Sequence, residues 1–281
     1  MQLPYRILAM DLDGTALSAD PNTFAPGVLE AACKAAAQGV TVVFATGRPC
    51  THLPPDVRPG TLPWLRYLVL NDGAVILDRQ TGETLWCEPV SAAALDAVAQ
   101  ASEQFGIPVE YIDAAGCYHV PARWLEVIHA QPEVSAFHKQ VLHKSAVPFA
   151  GSPVQFAAEQ ILKINLPWVP LPQRSAVCAA LERAGVLAME CAPGAFEITS
   201  GKAGKREAMR FLAQRLGMTL ADVMALGDSG NDLELLQAAG FGVAMGNAPE
   251  FVKAAADAIT APNDQSGAAT AIRRWLLGEE V

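Results

Sequence analysis

The sequence predicts an α/β fold built on a doubly wound parallel sheet, and two observations carry that prediction. Short apolar runs of strand length, at 7–10 and 40–45, flank an alanine-rich helical stretch over 26–38 that ends at Gly39. Both runs stop at a polar or glycine-rich turn, as in Asp11-Leu12-Asp13-Gly14-Thr15. Strands that helices bury on both faces read as continuous apolar runs, which is the pattern of a parallel sheet.

The later elements divide the chain into two domains. The same pattern continues through a strand at 68–70 and a hairpin of 75–77 with 84–86, and it resumes near Phe196. There we predict helices and strands over 205–216, 223–226, 232–239, 242–245 and 268–277. The segment between the hairpin and Phe196 has a different pattern, with helix patterns at 92–105 and 175–184, proline-rich turns and a strand at 161–166. We therefore predict a discontinuous domain of residues 1–87 and 192–281, with an α+β domain of residues 88–191 inserted in it.

Composition and charge exclude several classes of protein. With 281 residues and 51% hydrophobic residues, the chain has enough apolar material for a core, which excludes disorder. The net charge of −9 disfavours nucleic acid and anionic membrane surfaces as partners. No apolar run approaches the roughly 20 residues of a membrane span, and no secretory signal is evident. The six cysteines form no C-x-x-C pair, so we expect reduced thiols in a cytoplasmic protein. The sequence does not predict the oligomeric state.

Two pairs of carboxylates follow predicted strands. Asp11 and Asp13 stand at the end of the first strand, and Asp228 and Asp232 follow the strand at 223–226. A simpler interpretation is that the first pair closes a turn and that Asp232 only favours a helix N-terminus. Ligands of α/β sheets bind at the carboxyl ends of strands, however, and four carboxylates there form an oxygen site for a hard cation. Without clustered His or Cys, the pattern favours Mg²⁺ over zinc.

A magnesium ion in such a site commonly takes a phosphate oxygen as a further ligand, so donors for a phosphate are expected nearby. Thr46 and Gly47, at the end of the second strand, offer a hydroxyl and backbone N–H groups. Lys205 begins a helix and offers a point charge, although a solvated lysine is the commoner case. Arg48 is a candidate substrate contact, with an ion pair to a neighbouring carboxylate as its alternative.

The four motifs together resemble those of the haloacid dehalogenase (HAD) superfamily of phosphohydrolases. Asp11-Leu12-Asp13-Gly14-Thr15 resembles the first motif, Thr46-Gly47-Arg48 the second and Lys205 the third, while Gly227-Asp228-Ser229-Gly230-Asn231-Asp232 resembles the fourth. Met245-Gly246-Asn247-Ala248 and the size of the insert are similar to the Cof-type subfamily, which has a large C2-type cap. The resemblance covers roughly residues 5–87 and 192–281, and it implies a Rossmann-like core with an inserted α+β cap that reads the leaving group.

This resemblance also implies roles for the site residues. Asp11 would be the nucleophile that forms an aspartyl-phosphate, and Asp13 the general acid and base. Mg²⁺ would be bound by the Asp11 carboxylate, the Asp13 carbonyl and Asp228, with Asp232 nearby or acting through water. The residues that hold phosphate or substrate would be Thr46, Gly47, Arg48, Lys205 and Asn231. In the cap, ordinary structural roles are commoner than substrate contact for the candidates His119, Arg123, His143 and Lys163.

The implied function is a Mg²⁺-dependent phosphatase that hydrolyses a small-molecule phosphate ester, such as a sugar phosphate. One alternative is a phosphomutase, which uses the same core, and another is a signalling module phosphorylated on Asp11. Two positions depart from the family pattern. Ala16 replaces a bulky apolar residue, and Asp72 stands where the subfamily usually has Asn in an Asn-Gly-Ala turn. A carboxylate there would disfavour anions, so the role of that turn in substrate binding is left open.

Overall fold

The computed structural model describes residues 3–58, 60–159, 161–186 and 188–280. The chain divides into two compact units. Unit 1 comprises Met1–Gly47, Leu53–Trp86 and Gly204–Val281, and unit 2 comprises Arg48–His52 and Cys87–Ala203.

The secondary structure alternates between strands and helices in unit 1 and is more mixed in unit 2. The strands are β1 (Ile7–Met10), β2 (Thr41–Ala45), β3 (Tyr67–Leu70), β4 (Val75–Asp78), β5 (Thr84–Cys87), β6 (Glu110–Ile112), β7 (Tyr118–Pro121), β8 (Ala146–Phe149), β9 (Lys163–Leu166), β10 (Met189–Ala192), β11 (Ala195–Ile198), β12 (Val223–Gly227), β13 (Phe241–Ala244) and β14 (Ala258–Ile259). The α-helices are α1 (Val28–Ala37), α2 (Ala92–Phe105), α3 (Ala122–Ala130), α4 (Ala136–Ser145), α5 (Arg174–Arg183), α6 (Lys205–Arg215), α7 (Leu233–Ala238), α8 (Glu250–Lys253) and α9 (Gly267–Ala271). Among the described residues, no helix has the length and apolarity that crossing a membrane requires.

Unit 1 is built on a largely parallel sheet. Its described strands follow the order β14-β13-β12-β1-β2-β3-β4-β5, and β1 pairs in parallel with both β2 and β12. Strand β4 is antiparallel to β3, and β5, the other strand of the predicted hairpin, is the neighbour of β4 at this edge. The parallel core confirms the predicted α/β fold class.

Helices cover both faces of this sheet, so β1 is buried on both sides. Leu8 and Met10 point into one apolar cluster with residues of α1 and α9. Ile7 and Ala9 point into the opposite cluster with residues of α6 and α7. Alternate residues of a strand face opposite sides, so both sets must be apolar, which explains the continuous hydrophobic run in the sequence.

Unit 2 contains a second sheet, whose described strands run in the order β10-β11-β9-β6-β7-β8. Helices α2 and α5 pack with Tyr111 and Ile164 in one apolar cluster. A smaller cluster joins Ile112 and Tyr118 to residues of α3 and α4. Sheet and helices together give an α+β unit.

The boundaries of the two units differ from those that the sequence predicts. The sequence places the return to the first domain at residue 192, whereas β11 pairs antiparallel with β9 and unit 1 resumes at Gly204. A short strand carries the same apolar signal in either sheet, so its partner cannot be read from its residues. Arg48–His52 likewise groups with unit 2, although only Thr46 and Gly47 separate it from the end of β2.

We predict that Leu8→Ala strongly destabilises the protein, because Leu8 is 0% exposed in the strand that carries the site. Removing its buried methyl groups leaves a cavity, and the free energy of unfolding should fall by about 2–5 kcal/mol. Ile259→Ala is the matched control, since Ile259 is 54% exposed, and it should cost about 0.5 kcal/mol. Chemical denaturation measures both, and equal losses would contradict the burial of β1.

Candidate active site

Carboxylates gather where β1 and β12 end. The two strands are parallel neighbours, with Met10 opposite Leu226, and the Asp11 N–H donates to the Leu226 carbonyl at 3.0 Å. Asp11 and Asp228 therefore leave the same edge of the sheet. Asp11, Asp228 and Asp232 each place one carboxylate oxygen within 4.8 Å of the others.

A buried lysine binds this group. Lys205 is the first residue of α6, and its side chain is fully buried. Its Nζ donates to Asp11 Oδ1 at 2.6 Å and to Asp232 Oδ1 at 2.7 Å. The ammonium therefore joins the ends of β1 and β12 to the start of α6, and it is not a solvated surface lysine.

The site holds more negative than positive charge, and the pKa values reflect this. Burial raises the pKa of Asp11 well above its usual value, against the effect of Lys205 and with further increases from the neighbouring carboxylates. Burial and Asp232 raise the pKa of Asp228 to about 7. Burial disfavours the ammonium of Lys205, but Asp11, Asp232 and Asp72 outweigh it and raise the lysine's pKa. One lysine does not neutralise these carboxylates.

Close contacts with the first motif fix the carboxylate of Asp228. Thr15 Oγ1 donates to Asp228 Oδ1 at 3.0 Å, and Asn247 Nδ2 donates to Oδ2 at 3.3 Å and to the Gly14 carbonyl at 2.9 Å. Gly14 has φ +71°, and a Cβ there would lie 2.3 Å from Asp228 Oδ2, so glycine is required. The sequence shows Thr15 and Asn247 only as members of motifs, and their hydrogen bonds to Asp228 give them a positioning role.

Asp232 organises the turn after β12. Its Oδ2 accepts hydrogen bonds from the backbone N–H groups of Asp228 at 3.0 Å and Ser229 at 3.1 Å, while Oδ1 accepts from Lys205. A Cβ at Gly227 would lie 2.3 Å from Asp232 Cγ, so the strand end must be glycine for the carboxylate to approach. Asp232 thus aligns Asp228 and Lys205 at the same time.

The remaining candidates from the four motifs, apart from Arg48, also belong to unit 1. Thr46 is fully buried at the end of β2, and Gly47 is half-buried beside it. Asn231 Oδ1 accepts from Lys205 Nζ at 3.4 Å. Asp13 is exposed, and its charge contributes to the raised pKa of Asp11.

Arg48 differs from the other candidates because it belongs to unit 2. Its Nη1 donates to the His52 carbonyl at 3.0 Å, and its guanidinium lies 5.1 Å from the centre of the Phe137 ring. The described contacts therefore hold Arg48 within unit 2, and its role as a substrate contact stays a prediction.

The donor set fits a hard divalent cation such as Mg²⁺. Asp11, Asp228 and Asp232 offer only oxygen ligands, which Mg²⁺ prefers over the nitrogen and sulfur ligands of zinc sites. Burial and then repulsion from Asp232 raise the pKa of Asp228, and a bound cation would relieve that repulsion.

Comparison with known proteins places this geometry in a family. Residues 8–272 match the haloacid dehalogenase-like hydrolase family. The Bacillus subtilis protein YxeH, which is classed as a phosphatase, is 29% identical over 98% of this chain and 100% of its own length. The pyridoxal phosphate phosphatase YbhA of Escherichia coli is 27% identical over 97% of this chain and 99% of its own.

A solved structure shares the architecture as well. A haloacid dehalogenase-like hydrolase from B. subtilis aligns with 96% of this chain and 100% of its own, with a TM-score of 0.78 and 27% identity. The resemblance seen in the four motifs is therefore confirmed over nearly the whole chain.

We predict that Asp228→Asn changes how stability depends on pH in chelator-treated protein. The pKa of Asp228 is about 7 in the folded protein and about 4 when unfolded. Between these values the folded state keeps a proton that the unfolded state loses, so this group's contribution to stability falls as pH rises. Asn does not titrate, so the variant shows no such decrease. Its free energy of unfolding should rise relative to that of the wild type by up to about 1.4 kcal/mol per pH unit.

Denaturant titrations of both proteins between pH 5 and pH 8 measure this difference in unfolding free energy. Asp56→Asn, at an exposed site of unit 1, is the control and should show no such trend. A constant difference between Asp228→Asn and wild type over this range would show that Asp228 does not titrate as the geometry requires.

Proposed function

The chain belongs to the haloacid dehalogenase-like hydrolases and is a phosphatase, and on that basis we propose that it hydrolyses a small phosphate monoester through an aspartyl-phosphate on Asp11. The observation that carries the proposal is the ion pair between Asp11 and the fully buried Lys205 beside two further carboxylates. A carboxylate held this rigidly at a strand end, with a cation on one oxygen, suits a nucleophile that attacks an anionic phosphate.

The proposed cofactor is Mg²⁺. Its ligands would be the carboxylates of Asp11 and Asp228 and the backbone carbonyl of Asp13, with Asp232 close by or acting through water. When bound, the cation neutralises charge so that an anionic nucleophile can approach a phosphate.

Two proton transfers and two displacements complete the proposed reaction. A carboxylate oxygen of Asp11 attacks phosphorus, and the bond to the leaving oxygen breaks while Asp13 donates a proton to that oxygen. Asp13 then removes a proton from water, whose oxygen attacks phosphorus and releases Asp11 and inorganic phosphate. Asp13 is exposed, which suits a general acid and base that must contact both the leaving group and water.

We propose that the non-transferred phosphate oxygens are held by Thr46, the Gly47 N–H and Lys205, with Asn231 beside the lysine. Lys205 is well suited because surrounding carboxylates keep it protonated. Arg48 is retained as a proposed substrate contact. The inserted segment, predicted as residues 88–191, is proposed to act as the cap domain that selects the leaving group.

The proposed substrate class is a small phosphorylated metabolite, such as a sugar phosphate or a phosphorylated cofactor. The relative YbhA, named for pyridoxal phosphate, supports a compact phosphomonoester over a polymer. The net charge of −9 also disfavours polyanions. Free phosphate formed in equal amount to the released alcohol would support hydrolysis over the transfer of a phosphomutase.

We predict that Asp11→Asn abolishes phosphate release from a panel of phosphate monoesters, because the amide is a poor nucleophile. The loss should be at least about a thousandfold, while circular dichroism stays unchanged. Chelation of divalent cations should stop the wild-type reaction, and added Mg²⁺ should restore it. Asp56→Asn is the matched control and should retain full activity. Near wild-type turnover by Asp11→Asn would refute the assignment of the nucleophile.

A further inference from the structure

We propose that Asp72 is a positioning residue that fixes the amide of Asn231 and thereby the ammonium of Lys205. The inference deepens the proposed function, on which it rests. Asp72 stands where the family resemblance leads one to expect the Asn of an Asn-Gly-Ala turn. The inference assigns this additional carboxylate a role other than contact with phosphate.

The turn that carries Asp72 is held against the site from several sides. It follows β3 over Asn71–Gly73, and Asp72 has φ +54°, a left-handed conformation that Asp tolerates. The Asp72 N–H donates to the Thr46 carbonyl at 3.1 Å, and the Gly73 carbonyl accepts from Trp86 Nε1 at 3.2 Å. A Cβ at Gly73 would lie 2.2 Å from the Gly204 carbonyl oxygen, so the turn packs directly against the start of α6.

Asp72 determines which way the Asn231 amide points. Asn231 Nδ2 donates to Asp72 Oδ1 at 2.7 Å. An ionised carboxylate only accepts hydrogen bonds, so the amide must turn its NH₂ group toward Asp72 and its oxygen away. That oxygen accepts from Ser229 Oγ at 2.7 Å and from Lys205 Nζ at 3.4 Å. If the amide were flipped, its oxygen would face the carboxylate oxygen of Asp72, and its NH₂ group would face the ammonium of Lys205.

This orientation completes the environment of the lysine. An ammonium has three N–H donors, and Lys205 Nζ directs them at Asp11, Asp232 and Asn231. The charge of Asp72 adds to those of Asp11 and Asp232 around the ammonium. Without Asp72, only Ser229 and Lys205 orient the amide, so it flips more readily and the position of the ammonium between nucleophile and phosphate becomes less defined.

The kinetic test is a double-mutant cycle between Asp72 and Asn231. Asp72→Gly removes the carboxylate and suits the positive φ, so the backbone is not strained. It should lower kcat/KM about tenfold, the value of one hydrogen bond to a charged group. Asp72→Asn keeps an acceptor oxygen and should stay within about threefold of wild type. In the Asn231→Ala background, Asp72→Gly should change kcat/KM by less than about threefold, as Asp72→Asn does in the wild type, because the hydrogen-bond partner is gone and only the charge is removed.

A second readout needs neither substrate nor metal. The side-chain amide protons of Asn231 are assigned by NMR through their absence in Asn231→Ala. They should shift and exchange faster with solvent in Asp72→Gly, and they should not change in Asp56→Gly, an exposed control in unit 1. Unchanged Asn231 amide signals in Asp72→Gly, or kinetic effects that multiply in the double mutant, would overturn the inference. A wild-type protein that hydrolyses no phosphate ester would refute the proposed function, and the amide signals would still decide the role of Asp72.

Discussion

The site of this protein depends on one buried ammonium. Lys205 is fully buried, and transferring an unpaired charge into such a place is very costly. Asp11 and Asp232 offset that cost at 2.6 Å and 2.7 Å. The pairing ties the first turn of α6 to the ends of β1 and β12, so the proposed nucleophile, the lysine and the carboxylates proposed to bind the metal can only be placed together.

The surrounding backbone is shaped to let these charges approach. Glycine at positions 14 and 227 leaves room for the carboxylates of Asp228 and Asp232, each of which would overlap a Cβ there. Burial and the negative charge of Asp232 raise the pKa of Asp228 to about 7. A divalent cation would relieve the repulsion between these carboxylates, so the electrostatic cost of gathering them would have the same origin as the proposed affinity for Mg²⁺.

Much of this arrangement can be predicted from the sequence, because parallel strands end at one edge of their sheet. The apolar runs place Asp11 and Asp228 there without knowledge of any distance. The burial of Lys205 could not be predicted, since a lysine at a helix start reads equally well as solvated. The partner of Asp72 lies 159 positions away in Asn231, and no local pattern indicates such a contact. The sequence includes residues 192–198 in the first domain, whereas β11 pairs with β9, which is distant in the chain, and no local pattern indicates that partner either.

The proposed mechanism requires that Asp11 becomes covalently phosphorylated during turnover. The most direct measurement is rapid acid quenching of the protein with a good phosphomonoester substrate and Mg²⁺, followed by borohydride reduction and peptide mass spectrometry. We expect that the side chain of Asp11, and not that of Asp13, is reduced to the corresponding alcohol only in samples that contained substrate. Turnover without any reduced Asp11, or with the label on another carboxylate, would contradict it.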